Sequence, residues 1–253
     1  MVQNLFSVWE GVFESFAEAQ GDLDAFESDI WVQKQKAKIK RALDNLEEGK
    51  GSASKDYPLP VVVSMLLSQK PCISILDFGG GMGMQYIDLL GKVYLAKERV
   101  TYCVVDGKAT IENLPSQMKA FPKLRYVSSL DEVQQKYDIV HIGSTLQYIE
   151  NWQDLLSTLV SDYQPNYFVF SDLLAGDIPT FVTHQIFYEK RIPHQFLNWH
   201  EFKGFMEGKL NFSLQFKSKF IHNILDQEKV FPNFGMPKTH QIDRGINAVF
   251  YQK

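Results

Sequence analysis

The chain has 253 residues, 45% hydrophobic and 22% charged, which suits one large globular domain or a domain with an appendage. A formal net charge of -4 gives no general basic field for nucleic acid, and no stretch reaches the roughly 18 apolar residues that a membrane span needs. Its two cysteines, Cys72 and Cys103, exclude a disulfide framework and a cysteine-based metal site.

The start, Met1-Val2-Gln3-Asn4-Leu5-Phe6, carries no basic segment followed by a long apolar run, so a cytoplasmic location is expected. Trp9, Val12, Phe13 and Phe16 fall at i, i+3, i+4 and i+7, and Ile39, Ala42, Leu43 and Leu46 repeat that spacing. Both segments are expected as amphipathic helices, together an N-terminal helical appendage over residues 1–56. Residues 1–29 bear acids and no bases, whereas Lys34, Lys36, Lys38, Lys40 and Arg41 make the second helix basic, as two solvated faces would be. The linker Gly49-Lys50-Gly51-Ser52-Ala53-Ser54 leads to a second unit over residues 57–253 that opens on a short apolar helix through Leu67.

Apolar runs of strand length follow at Ile73–Phe78, Val100–Val105, Leu124–Val127, Tyr137–Ile142 and Tyr167–Ser171, separated by helix-compatible stretches. Strands without polar alternation, spaced by helices, predict a parallel sheet covered on both faces. Phe212–Ile221 and Ala248–Tyr251 have no clear helix between them and predict an antiparallel hairpin at one edge, joined by a long loop over 222–247. The fold class is α/β: a Rossmann-like, mostly parallel seven-stranded sheet with an antiparallel C-terminal hairpin and the helical appendage.

The first strand runs into Asp77-Phe78-Gly79-Gly80-Gly81-Met82-Gly83 and then into a helix at Met84. Glycines there allow positive φ and let a ligand approach without meeting a Cβ atom, while a helix N-terminus presents unpaired N–H groups. The dinucleotide fingerprint G-x-G-x-x-G fails, because Met84 stands where its third glycine belongs, and this disfavours a nicotinamide-dependent dehydrogenase. The spacing is G-x-G-x-G. About 20 residues on, Asp106 ends the next strand, placed to accept the ribose hydroxyls of a nucleoside.

Asp77, the G-x-G-x-G turn and Asp106 together resemble the Rossmann-like, class I, S-adenosylmethionine (AdoMet)-dependent methyltransferases over about residues 75–251. The resemblance implies AdoMet as cofactor, S-adenosylhomocysteine as product, and cofactor contacts from Asp77, Gly79, Gly81, Gly83 and Asp106. Ser128 and Ser129 stand where an acid often meets the adenine, with Asp131 a substitute. Gly143-Ser144-Thr145-Leu146-Gln147-Tyr148-Ile149 stands where these enzymes line the pocket between cofactor and acceptor. A narrower resemblance runs through Trp9-Glu10-Gly11-Val12-Phe13, Leu76 to Gly83, and Ile192-Pro193-His194-Gln195-Phe196-Leu197-Asn198. It is to bacterial methyltransferases whose genes accompany surface-polysaccharide biosynthesis, and it implies a sugar-like acceptor.

Related O-methyltransferases carry a histidine base just after the fourth strand, and this chain has Gln147 and Tyr148 there. His141, inside a strand, reads as a core histidine. His184 and His194 lie in Leu173–Phe196, expected to close over the acceptor, and are the candidate general bases, with Tyr148 the alternative. Asn198 and Glu201 read as a helix cap with its reciprocal acid. The expected function is methyl transfer to oxygen or nitrogen of a small-molecule or sugar-like acceptor, without metal, nucleic acid or membrane. A non-catalytic AdoMet-binding scaffold is the alternative, and homo-oligomerisation is left open.

Overall fold

Strand β1 (Trp9–Phe13), the single-turn helix α1 (Phe16–Ala19), the long helix α2 (Asp29–Glu47) and α3 (Pro58–Leu67) come first in the chain. Strands β2 (Ile73–Phe78), β3 (Val100–Val105), β4 (Leu124–Val127), β5 (Ile139–Gly143) and β6 (Tyr167–Leu173) follow. Helix α4 (Met84–Lys92) and the short α5 (Ala96–Arg99) separate β2 from β3; α6 (Lys108–Glu112) and α7 (Ser116–Lys119) separate β3 from β4; α8 (Trp152–Tyr163) precedes β6. After the two-residue β7 (Ala175–Gly176) come β8 (Phe181–Phe187), β9 (Lys190–Asn198), α9 (Trp199–Gly208) and β10 (Phe212–Lys219). The short β11 (Asn223–Ile224) and β12 (Gln227–Glu228) lead to β13 (Ile246–Gln252). The computed structural model describes residues 8–22, 24–50, 57–187, 190–220, 223–224, 227–228, 231, 233 and 235–253. Residues 51–54 of the expected linker, the start 1–6, and part of the 222–247 loop lie outside these.

Among the described residues, seven strands form one sheet in the order β10-β13-β6-β5-β2-β3-β4. β2, β3, β4, β5 and β6 run parallel, and β13 and β10 are antiparallel, as the apolar runs and the terminal hairpin predict. Successive side chains alternate between faces. Ile73, Ile75, Tyr102 and Val104 pack under α2, α3 and α4 in one core, and Leu76, Cys103, Val105, Val140 and Phe170 pack under α8 and α9 in a second. Both faces are covered, which is why no polar alternation marks these strands. Cys103 is buried in β3, and Cys72 is exposed just ahead of β2. Among the described residues no helix is long and apolar enough to cross a membrane.

The chain enters the sheet at β2, builds outward through β3 and β4, then returns to place β5 on the other side of β2. The strand order reverses between β2 and β5, so a crevice opens beyond their carboxyl ends.

The N-terminal expectation needs correction. Residues 9–13 form a strand, with a helix only over Phe16–Ala19. Gly11, at φ 79°, breaks the helical path, and β1 pairs antiparallel with β8 through Trp9↔Gln185 and Phe13↔Val182. Trp9 buries against Phe196 and Phe231 in a third core between β1, β8, β9 and the described part of the 222–247 segment. These strands belong to a second sheet, β1-β8-β9-β7. Leu173–Phe196, expected as a covering stretch, is thus largely a β hairpin. The predicted basic helix is α2, capped by Ser28 and packed on α4 through its buried Val32, Ile39 and Leu43. At α9, Asn198 Oδ1 accepts from the N–H groups of His200 and Glu201, but Glu201 takes the Thr180 hydroxyl instead of closing a reciprocal box.

Ile39 is 1% exposed and sits in the core shared with the main sheet. Ile39→Ala should lower stability by about 2–5 kcal/mol, read as a shift of the single urea transition followed by tryptophan fluorescence. A main transition that stays in place while a minor one moves would mean that α2 folds apart from the sheet.

Candidate active site

β2 delivers Asp77 to the floor of the crevice with no exposure to solvent. A buried carboxyl needs hydrogen-bond partners. His141 Nδ1 lies 2.7 Å from Oδ1, and the Tyr102 hydroxyl donates to Oδ2 at 2.8 Å. His141 Nε2 in turn lies 3.1 Å from Ser171 Oγ. His141 is buried, as expected of a core histidine, and its ring is held by side chains of the neighbouring strands β2 and β6.

The chain then turns tightly. A Cβ at Gly79 would lie 2.3 Å from the Thr145 side chain, and one at Gly80 2.3 Å from Asp77 Oδ2. Gly81 differs: its φ is +59° and nothing lies within 4 Å of where its Cβ would be, so its bare face looks into open space. Gly83, at φ +84°, faces the Tyr126 hydroxyl and Met118, and does not line the crevice. It serves the turn, contrary to its expected place among ligand contacts.

Asp106, just past β3, accepts the Gly81 N–H at 2.7 Å and its neighbour Gly107 N–H at 2.8 Å. Burial raises its carboxyl above the ordinary aspartate value, opposed by these donors. Ser128 and Ser129, past β4, line the same cavity, their backbone N–H groups held by the Glu132 carboxylate. Leu130 lines it beside them, and Asp131 does not, so Asp131 is no substitute contact. Gly143 and Ser144, past β5, complete this wall.

One cavity of about 1350 Å³ runs from this elbow to the β8–β9 hairpin, larger than the roughly 300–1,000 Å³ of an ordinary small-molecule site. At its far end Phe26, Trp31, Tyr148 and Phe187 meet edge to face, with centroids 4.9–6.2 Å apart. The Tyr148 hydroxyl donates to Gln185 Oε1 at 2.7 Å, and burial pushes its pKa well above the usual tyrosine value. His194 lies against Tyr148, 1% exposed, and lines the cavity. His184, next to Gln185 on β8, points the other way: its Nε2 lies 2.7 Å from the Ala19 carbonyl, and it does not line the cavity. Its candidacy as a base therefore falls.

Asp172 and Gln185, passed over in the sequence, also stand here beside the expected Ser144. Ser144, just past β5, and Asp172, the next-to-last residue of β6, are both non-glycine residues at positive φ, 51° and 54°. The Ser144 hydroxyl donates to Asp172 Oδ2 at 2.7 Å. Backbone strain of about 1–3 kcal/mol per residue persists where surroundings enforce it, often at functional sites. Gln147 and Gln185, polar residues in otherwise apolar surroundings, were the available signal for the far end. Trp31, Gln35 and Lys38, one face of α2, line the cavity as well.

A family described as methyltransferase domain matches residues 32–217. No curated protein matches the chain significantly. Among solved structures, similar ones include the Burkholderia thailandensis 1,6-didemethyltoxoflavin N1-methyltransferase with bound 1,6-didemethyltoxoflavin and S-adenosylhomocysteine. It is 12% identical with a TM-score of 0.51, over 87% of this chain and 90% of that one. The Synechocystis magnesium protoporphyrin IX methyltransferase with bound AdoMet is 13% identical with a TM-score of 0.52, over 91% and 94%. An AdoMet-dependent methyltransferase from Clostridium acetobutylicum is 11% identical with a TM-score of 0.51, over 85% and 98%. At these identities the likeness is one of fold.

Burial lowers the His194 pKa from the ordinary histidine value near 6.5 to about 3, so the folded ring stays neutral and is a weak base. The unfolded chain takes up that proton near pH 6.5. Below that pH the unfolded state binds more protons, so stability falls with pH toward 3 by about 1.4 kcal/mol per pH unit. His194→Phe should therefore lose about 2 kcal/mol less than the parent between pH 7 and pH 5, measured by urea midpoints. Equal losses in the two proteins would overturn the buried neutral assignment.

Proposed function

Because the chain belongs to the methyltransferase-domain family, we propose that it transfers a methyl group from AdoMet to an oxygen or nitrogen of a small-molecule acceptor and releases S-adenosylhomocysteine. The observation that carries this reading is one cavity joining the glycine elbow to an aromatic chamber, with room for two ligands. Residues at the elbow fit the cofactor: Gly81 offers a face free of side chain, and Asp106 stands beside it as a hydroxyl acceptor. Gly79, Gly81, Asp106, Ser128, Ser129, Gly143 and Ser144 would hold it. Asp77 acts one step back, as the buried post to which the turn is fixed.

When bound, AdoMet supplies an electrophilic methyl on a sulfonium, and the C–S bond breaks as the acceptor's C–O or C–N bond forms. The chain's own contribution is orientation, which converts a bimolecular encounter into a reaction within one complex. Tyr148 and His194 wall the acceptor end as neutral groups, and the acceptor's proton leaves to water at the mouth.

A sugar-like acceptor from surface-polysaccharide biosynthesis would stack on rings such as Tyr148 and Phe187. A diphosphate-linked sugar is disfavoured at the rim, where Lys38 stands with Asp22 and Glu27. A non-catalytic scaffold would have no use for the aromatic half of the cavity, and this favours transfer.

Asp106→Ala should weaken AdoMet binding by about 1.5–3 kcal/mol, roughly ten- to hundredfold, in titration calorimetry. Gly81→Val should abolish binding while circular dichroism stays unchanged, since a branched side chain fills the open face and strains the positive φ. AdoMet binding by a folded Gly81→Val protein at parental affinity would remove the elbow from the cofactor site.

A further inference from the structure

We propose that the acceptor is an uncharged planar ring, heteroaromatic or phenolic, that carries an N–H or O–H donor and is seated in the aromatic chamber by Gln147. The proposal rests on the methyl-transfer reading above and names the acceptor class of that same cavity.

Three observations carry it. The chamber's walls are flat: Phe26 meets Trp31 at 72° and Tyr148 at 76°, and Trp31 meets Phe187 at 63°. Aromatic rings so arranged offer faces and edges that suit another ring. Next, two buried polar atoms on cavity-lining side chains have no hydrogen-bond partner, Gln147 Oε1 and His194 Nδ1, their residues 4% and 1% exposed. An unmet acceptor such as Gln147 Oε1 costs stability until a donor arrives, so an aliphatic chain would leave it unsatisfied and a ring N–H or O–H would meet it. Last, the charge around the cavity excludes polyanions. Among the described residues lining it, the one cation is Lys38, against Asp22, Glu27, Asp77, Asp106 and Asp172.

The chemistry of the proton agrees. A sugar hydroxyl needs a strong base, and the cavity's histidines do not provide one: His141 is tied to Asp77 and Ser171, and burial holds His194 far below neutrality. A phenol or an acidic ring N–H gives up its proton far more readily than a sugar hydroxyl, and water can carry that proton away as the bond to the methyl group forms.

The test uses the full chain loaded with S-adenosylhomocysteine and calorimetric titration with four probes: lumichrome and 4-methylumbelliferone as planar rings, UDP-glucose and glucose 1-phosphate as anionic sugars. At least one ring should bind and neither sugar should. Gln147→Leu should weaken ring binding about tenfold, and Phe26→Ala should leave S-adenosylhomocysteine affinity unchanged. Phe26→Ala should weaken ring binding as well, and a folded Gln147→Glu variant should restore much of what Gln147→Leu loses, because it keeps an acceptor oxygen. Binding of a sugar in place of both rings, or ring affinity unaltered in both Gln147→Leu and Phe26→Ala, overturns the proposal. Loss of S-adenosylhomocysteine binding by the parent protein would instead sink the methyl-transfer reading, and ring binding to the unloaded protein still decides the chamber.

Discussion

A carboxyl with no solvent exposure at the end of β2 constrains everything built around it. Leaving Asp77 unpaired in that interior would be expensive, and β2's neighbours meet the demand from both sides, Tyr102 on β3 and His141 on β5. The register sets His141 directly beside Asp77. With the carboxyl held, the chain has little space to leave β2, since side chains at Gly79 or Gly80 would strike Thr145 or Asp77 itself. The turn must be glycine, and its path carries the Gly81 N–H to Asp106. The elbow is thus a consequence of burying one carboxyl where the strand order reverses, and the open face of Gly81 is what remains for a ligand.

The wall opposite is held under strain. Ser144, just past β5, and Asp172, near the end of β6, have positive φ and are joined by a hydrogen bond, with the Asp172 N–H donating to Asn247 on β13 and the Gln147 amide reaching the Asp172 carbonyl. Three segments far apart in sequence therefore hold one pair of unfavourable backbones. Such over-determination keeps a site within the tolerance that positional catalysis needs.

Much of the central architecture was legible because parallel strands buried on two faces write themselves as unbroken apolar runs, and because only glycine can follow Asp77 so closely. The second sheet was hidden for equally physical reasons. Trp9, Val12, Phe13 and Phe16 match a helical period, yet Gly11 takes a left-handed conformation and the segment pairs with β8. Pro193 is a residue that strand interiors rarely hold, yet it lies in β9 opposite His184 across the hairpin. His184 and His194 looked equivalent by position. Strand parity separates them, because Gln185 and Phe187 face the cavity and His184 faces α1. No sequence spacing reveals which face of a hairpin will be covered.

The buried histidine settles how the site divides its work. A base must hold a proton near neutrality, and a ring kept at about 3 by burial cannot do so. The same dryness that disables His194 as a base makes it a good wall, since a neutral imidazole against Tyr148 adds one polar atom to an apolar surface without adding charge. Where the wall cannot take a proton, an acceptor in the proposed reaction would have to give one up to solvent, and the transfer would depend on distance and alignment to a cofactor that already carries its positive charge. On the proposed reading, an elbow that would hold a nucleoside and a dry chamber that would sort acceptors by shape and acidity are two parts of one solution, and the N-terminal segment, through Trp9, Phe26 and Trp31, lines that same cavity.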